Sequence, residues 1–148
     1  MTTAELATLA PSGWRIELHG ELTGSRCVPR DRTLYVPDVA RFTGDDASLA
    51  AFIFLHEVRH AHQTDALSPR EMDNLRRSYN RDPVPAEVDA WLFALETGTG
   101  LGLTWTLSGH ALLASALDNY DWYTGNKRTD YVAQCVALSA NFLTPALV

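Results

Sequence analysis

The period of apolar and polar positions changes along the chain, and each change marks a predicted element. "WRIEL" roughly alternates and "RTLYVPD" is β-rich, so two strands are expected, separated by the turn-prone "HGELTGSRCVPRD". From about Asp46 to Thr64 the pattern becomes helical: Asp and Ser stand where an N-cap is wanted and no Gly or Pro interrupts the run. The first half of that helix, "LAAFIFL", is apolar nearly all round, as a buried central helix requires. "SPREMDNLRRSYN" predicts a shorter, exposed helix, and "PVPAEVDAWLFALETG" another that starts around Pro85 and stops at Gly98. "TGTGLG" should break the chain, and "TWTLSGHALLASALDNY" and "RTDYVAQCVALSANFL" predict two further helices around a loop "DWYTGNKRT". The pattern as a whole defines an α+β fold in one domain, 1–148, with a small twisted sheet packed on the central helix and C-terminal helices bracing it.

Composition narrows the function classes. With 148 residues, 46% of them hydrophobic, the chain suits one core, and a net charge of −6 disfavours nucleic acid as the main partner. Cys27 and Cys135 show no C-x-x-C spacing and are expected to be reduced, buried thiols. The N-terminus has neither the basic nor the apolar region of a secretory signal, and no apolar run approaches a membrane span. A cytoplasmic protein is the expectation, with delivery as a toxin or virion component also compatible.

Three of the five histidines fall within "FLHEVRHAHQTD". His56, Glu57 and His60 spell H-E-x-x-H, and at ~100° per residue the two histidines lie one turn apart and about 40° from each other around the axis. Both rings can then reach one ion, and Zn²⁺ suits imidazole donors with an open fourth position. Glu57, about 100° round the helix, is placed to contact a water at the metal as general base. A third ligand must come from elsewhere, and "VPAEVDAWLFAL" with the following glutamate offers Glu87, Asp89 and Glu96. Glu87 lies near the side carrying Ala90, Trp91, Ala94 and Leu95, whereas Asp89 and Glu96 point away, so Glu87 is the expected ligand.

H-E-x-x-H after a strand, followed 27 positions past His60 by the glutamate of "PAEVDAWLFALE", resembles the gluzincin branch of zinc metallopeptidases. "HEVRHAHQ" with "PAEVDA" is similar to small metallopeptidase-like domains of phage proteins and bacterial toxins, and more distantly to ImmA/IrrE-like peptidases, from which Arg59 departs where glycine is common. The resemblance covers about residues 32–96 and implies a minimal zincin-like fold, zinc on His56, His60 and Glu87, and water activation by Glu57. It also implies that the strand around "TLYV" is the cleft edge against which an extended peptide substrate pairs.

The function expected is therefore zinc-dependent hydrolysis of a peptide bond. The alternative is a non-catalytic module that keeps zinc for structure and binds a protein partner in its cleft. His62 should face away from the metal, and Arg59 should pair with a carboxylate on the Glu87 helix. The oxyanion donor is open among Tyr79, His110, Tyr120, Tyr123 and Tyr131. "RRSYNR" reads as a solvated face that could attract an acidic substrate.

Overall fold

The computed structural model describes residues 1–118 and 129–143. Its elements are helix α1 (Thr3–Ala7), strands β1 (Arg15–His19), β2 (Arg26–Val28) and β3 (Thr33–Pro37), then helices α2 (Gly44–Thr64), α3 (Pro69–Arg81), α4 (Val84–Gly100), α5 (Leu107–Asp118) and α6 (Thr129–Ala140). This is the α+β arrangement expected, with the small sheet packed on the H-E-x-x-H helix. Among the described residues no helix is long and apolar enough to cross a membrane. The loop read in "DWYTGNKRT" lies almost wholly outside the described residues.

Strand order is β1-β3-β2, with β1 parallel and β2 antiparallel to β3. Two differences from the sequence pattern follow. β2 forms inside the segment read as turn, because pairing to β3 (Cys27 with Leu34, Val28 with Thr33) stabilises three residues whose own pattern is too short to signal a strand. β3 is the central strand, not the cleft edge implied by the family resemblance; Leu34 and Val36 are fully buried and both sides of its backbone are taken. The free edge next to the site belongs to β2.

α2 begins at Gly44, two residues before the expected start, so Asp45 and Asp46 occupy the first turn, where their charges complement the helix dipole. Residues Leu49 to Val58 are buried almost without break, packed between β3 and α4. α3 opens on a capping box, with the Ser68 hydroxyl accepting from Glu71 N–H and the Glu71 carboxylate accepting from Ser68 N–H. None of its residues is fully buried, as its polar sequence requires.

The helix starting at Val84 does not stop at Gly98. It runs to Gly100 because Gly98 is a packing residue, lying against the ring of Phe52 on α2. Phe52 is fully buried and meets Trp105 edge-on, centroids 4.9 Å apart. A Cβ at position 98 would come no more than 3.0 Å from three atoms of that ring, which has nowhere to go. Gly98→Ala should therefore lower stability by about 1–3 kcal/mol through overpacking, although alanine is the better helix former. Urea denaturation of the two proteins checks this; an unchanged or higher midpoint would mean that α2 and α4 can separate freely at this level.

Candidate metal centre

Three helices meet at Glu87. The apolar run of α2 fixes that helix's rotation, which turns His56 and His60 toward α4. The α4 wheel, buried along Val84, Val88, Trp91 and Leu95, turns Glu87 back toward α2. His56 Nε2 lies 2.9 Å from Glu87 Oε2 and His60 Nε2 3.2 Å from Glu87 Oε1. The Tyr79 hydroxyl of α3 donates to Glu87 Oε1 at 2.7 Å. His56, Glu57 and Glu87 are each less than 9% exposed. Trp91 covers the His56 ring at a centroid distance of 4.4 Å, excluding water from that side.

Burial opposes charge on both partners, but here it loses. Desolvation would raise the Glu87 carboxyl, yet hydrogen bonds from His56 and His60 hold it far below the usual carboxylate range. Desolvation would lower His56, yet hydrogen bonds to Glu57 and Glu87 raise it to about 9. The site is thus a pair of imidazoles facing one ionised carboxylate through their Nε2 atoms.

The other ring nitrogens are also held. Glu57 Oε1 is 3.4 Å from His56 Nδ1, and His60 Nδ1 donates to Gln63 Oε1 at 2.8 Å. Gln63 in turn donates from Nε2 to Ala86 O at 3.0 Å and to Asp89 Oδ2 at 2.8 Å. Arg59 closes the chain, donating from Nε to Asp89 Oδ2 at 2.7 Å and from Nη2 to Asp89 Oδ1 at 3.3 Å. Arg59 therefore pairs with α4 as expected. Asp89 lies outside the histidine cluster, in keeping with its expected direction, but it is not simply solvated: burial would raise its carboxyl, yet Arg59 and Gln63, both bonded to it, keep it below the ordinary value.

His56, Glu57 and His60 offer donor atoms all within 4.8 Å of one another, a grouping able to hold a metal ion. Glu87 is the better third donor, since its oxygens sit opposite the Nε2 atoms. Ligand atoms ~2.1 Å from a tetrahedral ion stand about 3.4 Å apart, so the pairs now at 2.9 and 3.2 Å need open only by a few tenths of an ångström to admit one. Two imidazoles, one carboxylate and a cleft on the remaining side fit zinc. That cleft, about 560 Å³, is bounded by β2 and the following turn, by α2 and by the Met72, Leu75 and Tyr79 face of α3.

The remaining candidates separate cleanly. His62 hydrogen-bonds Leu9 O at 2.7 Å, away from the centre, and Glu96 is exposed. His110 is bonded through Nδ1 to Ser139 Oγ at 2.6 Å and does not line the cleft. Tyr120, Tyr123 and the side chain of Tyr131 lie outside the described residues. Of the tyrosines named, Tyr79 reaches the site. Gln63 carried no signal in sequence beyond standing one turn after His60.

No protein-family model matches the chain, and no curated protein or solved structure does so either.

Cys27 of β2 also lines the cleft, half-buried and unoxidised, near Glu57 and Thr64. Burial and then the Glu57 charge push its thiol up to about 12, a hydrogen bond with Thr64 opposing them. A raised thiol pKa keeps the neutral, unreactive form until the pH approaches that value. In folded protein at pH 8 iodoacetamide should label Cys27 at least about tenfold more slowly than in denaturant, and Glu57→Gln should speed the reaction by removing one of the two causes. Peptide mapping of alkylated Cys27 against time measures both; rapid native labelling would mean an open, polar surround.

Proposed function

We propose that the chain is a zinc-dependent metallopeptidase of the H-E-x-x-H type, with His56, His60 and Glu87 as metal ligands and Glu57 as general base. The observation that carries this reading is the convergence of two imidazole Nε2 atoms and one ionised carboxylate at the floor of a cleft that Glu57 also lines. Zinc, when bound, supplies a Lewis acid that polarises a carbonyl and lowers the pKa of water. Glu57 takes a proton from the attacking water and passes it to the leaving amine. Tyr79 stands at the centre with its single O–H donated to Glu87 Oε1 at 2.7 Å, and it serves the oxyanion on the attacked carbonyl only by turning that O–H from the carboxylate to the substrate. The outer edge of β2 offers the backbone groups with which an extended peptide can pair, the role that the gluzincin resemblance assigns to an edge strand.

One observation favours a second reading, a zinc-stapled binding module. Glu57 Oε1 faces His56 Nδ1, the place of an acceptor that merely orients a ligand imidazole. Glu57→Gln separates the two. In the peptidase it should leave zinc content and melting temperature unchanged while lowering hydrolysis by a factor of roughly 10² or more. Zinc analysis beside mass-spectrometric scoring of peptide loss decides; no hydrolysis by the wild type would remove the enzyme reading and favour the module, and equal hydrolysis by both proteins would remove Glu57 as the general base.

The Gln63 bridge gives a further expectation. Gln63→Leu strips the His60 Nδ1 acceptor without touching a ligand, and zinc affinity should fall by roughly 10–100-fold, whereas His62→Ala should not change it. Competition with a chromophoric chelator measures both, and equal affinities for Gln63→Leu and wild type would refute the orienting role.

A further inference from the structure

The rim of the cleft is basic. Among the described residues, the charged groups lining it besides His56, Glu57, His60 and Glu87 are Arg26, Arg30 and Arg76. That is contrary to the chain at large, which carries 18 acidic residues against 12 basic ones. Arg26 lies on β2 and Arg30 on the turn after it, and neither makes an ion pair among the described residues. The Arg26 guanidinium is laid over the Tyr35 ring, 4.4 Å from its centroid, on the face of the sheet opposite Cys27 and Leu34, so the unpaired cation offered to the cleft on this side is Arg30. Arg76, on the α3 wall, contacts Asp73 at 2.9 Å, but both side chains are more than half exposed, so an incoming carboxylate can replace Asp73 at little cost.

We propose that the cleft selects peptides with acidic side chains flanking the bond held over His56 and His60, Arg30 and Arg76 being the receptors for those carboxylates. This rests on the peptidase reading above. Guanidinium recognises carboxylate through two parallel N–H donors, a geometry that an amide of the same shape cannot match in charge. Three arginines on a chain of net charge −6 are too few for a nucleic-acid backbone, which needs an extended basic face.

The test uses zinc-loaded Glu57→Gln protein and fluorescent, C-terminally amidated peptides, one series with Asp and Glu and a matched series with Asn and Gln, read by anisotropy. The acidic series should bind at least about tenfold more tightly at low salt, and the advantage should shrink as salt rises toward ~0.5 M. It should vanish in Arg30→Gln/Arg76→Gln, with zinc content and melting temperature kept as evidence of folding. A matched neutral peptide with a free C-terminus tells side-chain carboxylates from a terminal one. Equal or undetectable binding of both series, a preference carried by the terminus alone, or tighter capture of a single-stranded oligonucleotide would each overturn the proposal. Hydrolysis by wild type is scored separately. Acidic binding without cleavage retains the receptor role and overturns the peptidase reading; cleavage of both series with equal kcat/KM does the reverse.

Discussion

A carboxylate as enclosed as Glu87 keeps its charge in the interior only if donors surround it, and that requirement fixes how three helices sit. His56 and His60 come from α2, Tyr79 from α3 and the carboxylate itself from α4. Removing any one donor would leave a buried charge with a partner missing, which typically costs several kcal/mol. The interaction is expensive to assemble and more expensive to break. It therefore holds the geometry of the centre more tightly than apolar packing alone would, since an apolar contact tolerates sliding and a charged hydrogen bond does not.

The close approach of α2 and α4 makes that contact reachable. At one level of their meeting surface Gly98 lets the buried Phe52 lie against the α4 backbone. The polar clamp of Arg59, Asp89 and Gln63 ties the same two helices from the outside, with Gln63 reaching the Ala86 carbonyl one residue before Glu87. Core and clamp thus set one helix–helix geometry from two sides, and the imidazole rings inherit it.

What was legible in sequence is what depends on local period. Two histidines four apart must share a face of any helix that contains them, and the apolar wheel of α4 separates Glu87 from Asp89 and Glu96, so the meeting of His56, His60 and Glu87 could be read directly. What depends on a partner elsewhere in the chain could not. β2 exists because β3 offers it a ladder, and β3 is central because strands on both sides use it, neither of which a three- or five-residue pattern encodes. Gly98 reads as a helix stop because glycine is a poor helix former, whereas close packing against Phe52 is a tertiary fact. Tyr79 and Gln63 stand on polar stretches, and nothing in those stretches announces that each points at another helix.

Rigidity is distributed unevenly around the cleft, in a way that matters for any chemistry there. The floor stands on α2 and α4, whose side chains are buried and doubly hydrogen-bonded, so the imidazoles and carboxylate need little reorganisation to act together. The walls are lighter: a three-residue strand with the turn after it on one, and a helix without a buried residue on another. Arg30 and Arg76 belong to those walls, where long side chains can adjust to a bound chain without disturbing the centre. An unyielding floor under adaptable walls suits a site that must hold one bond in a fixed geometry while accepting varied residues around it.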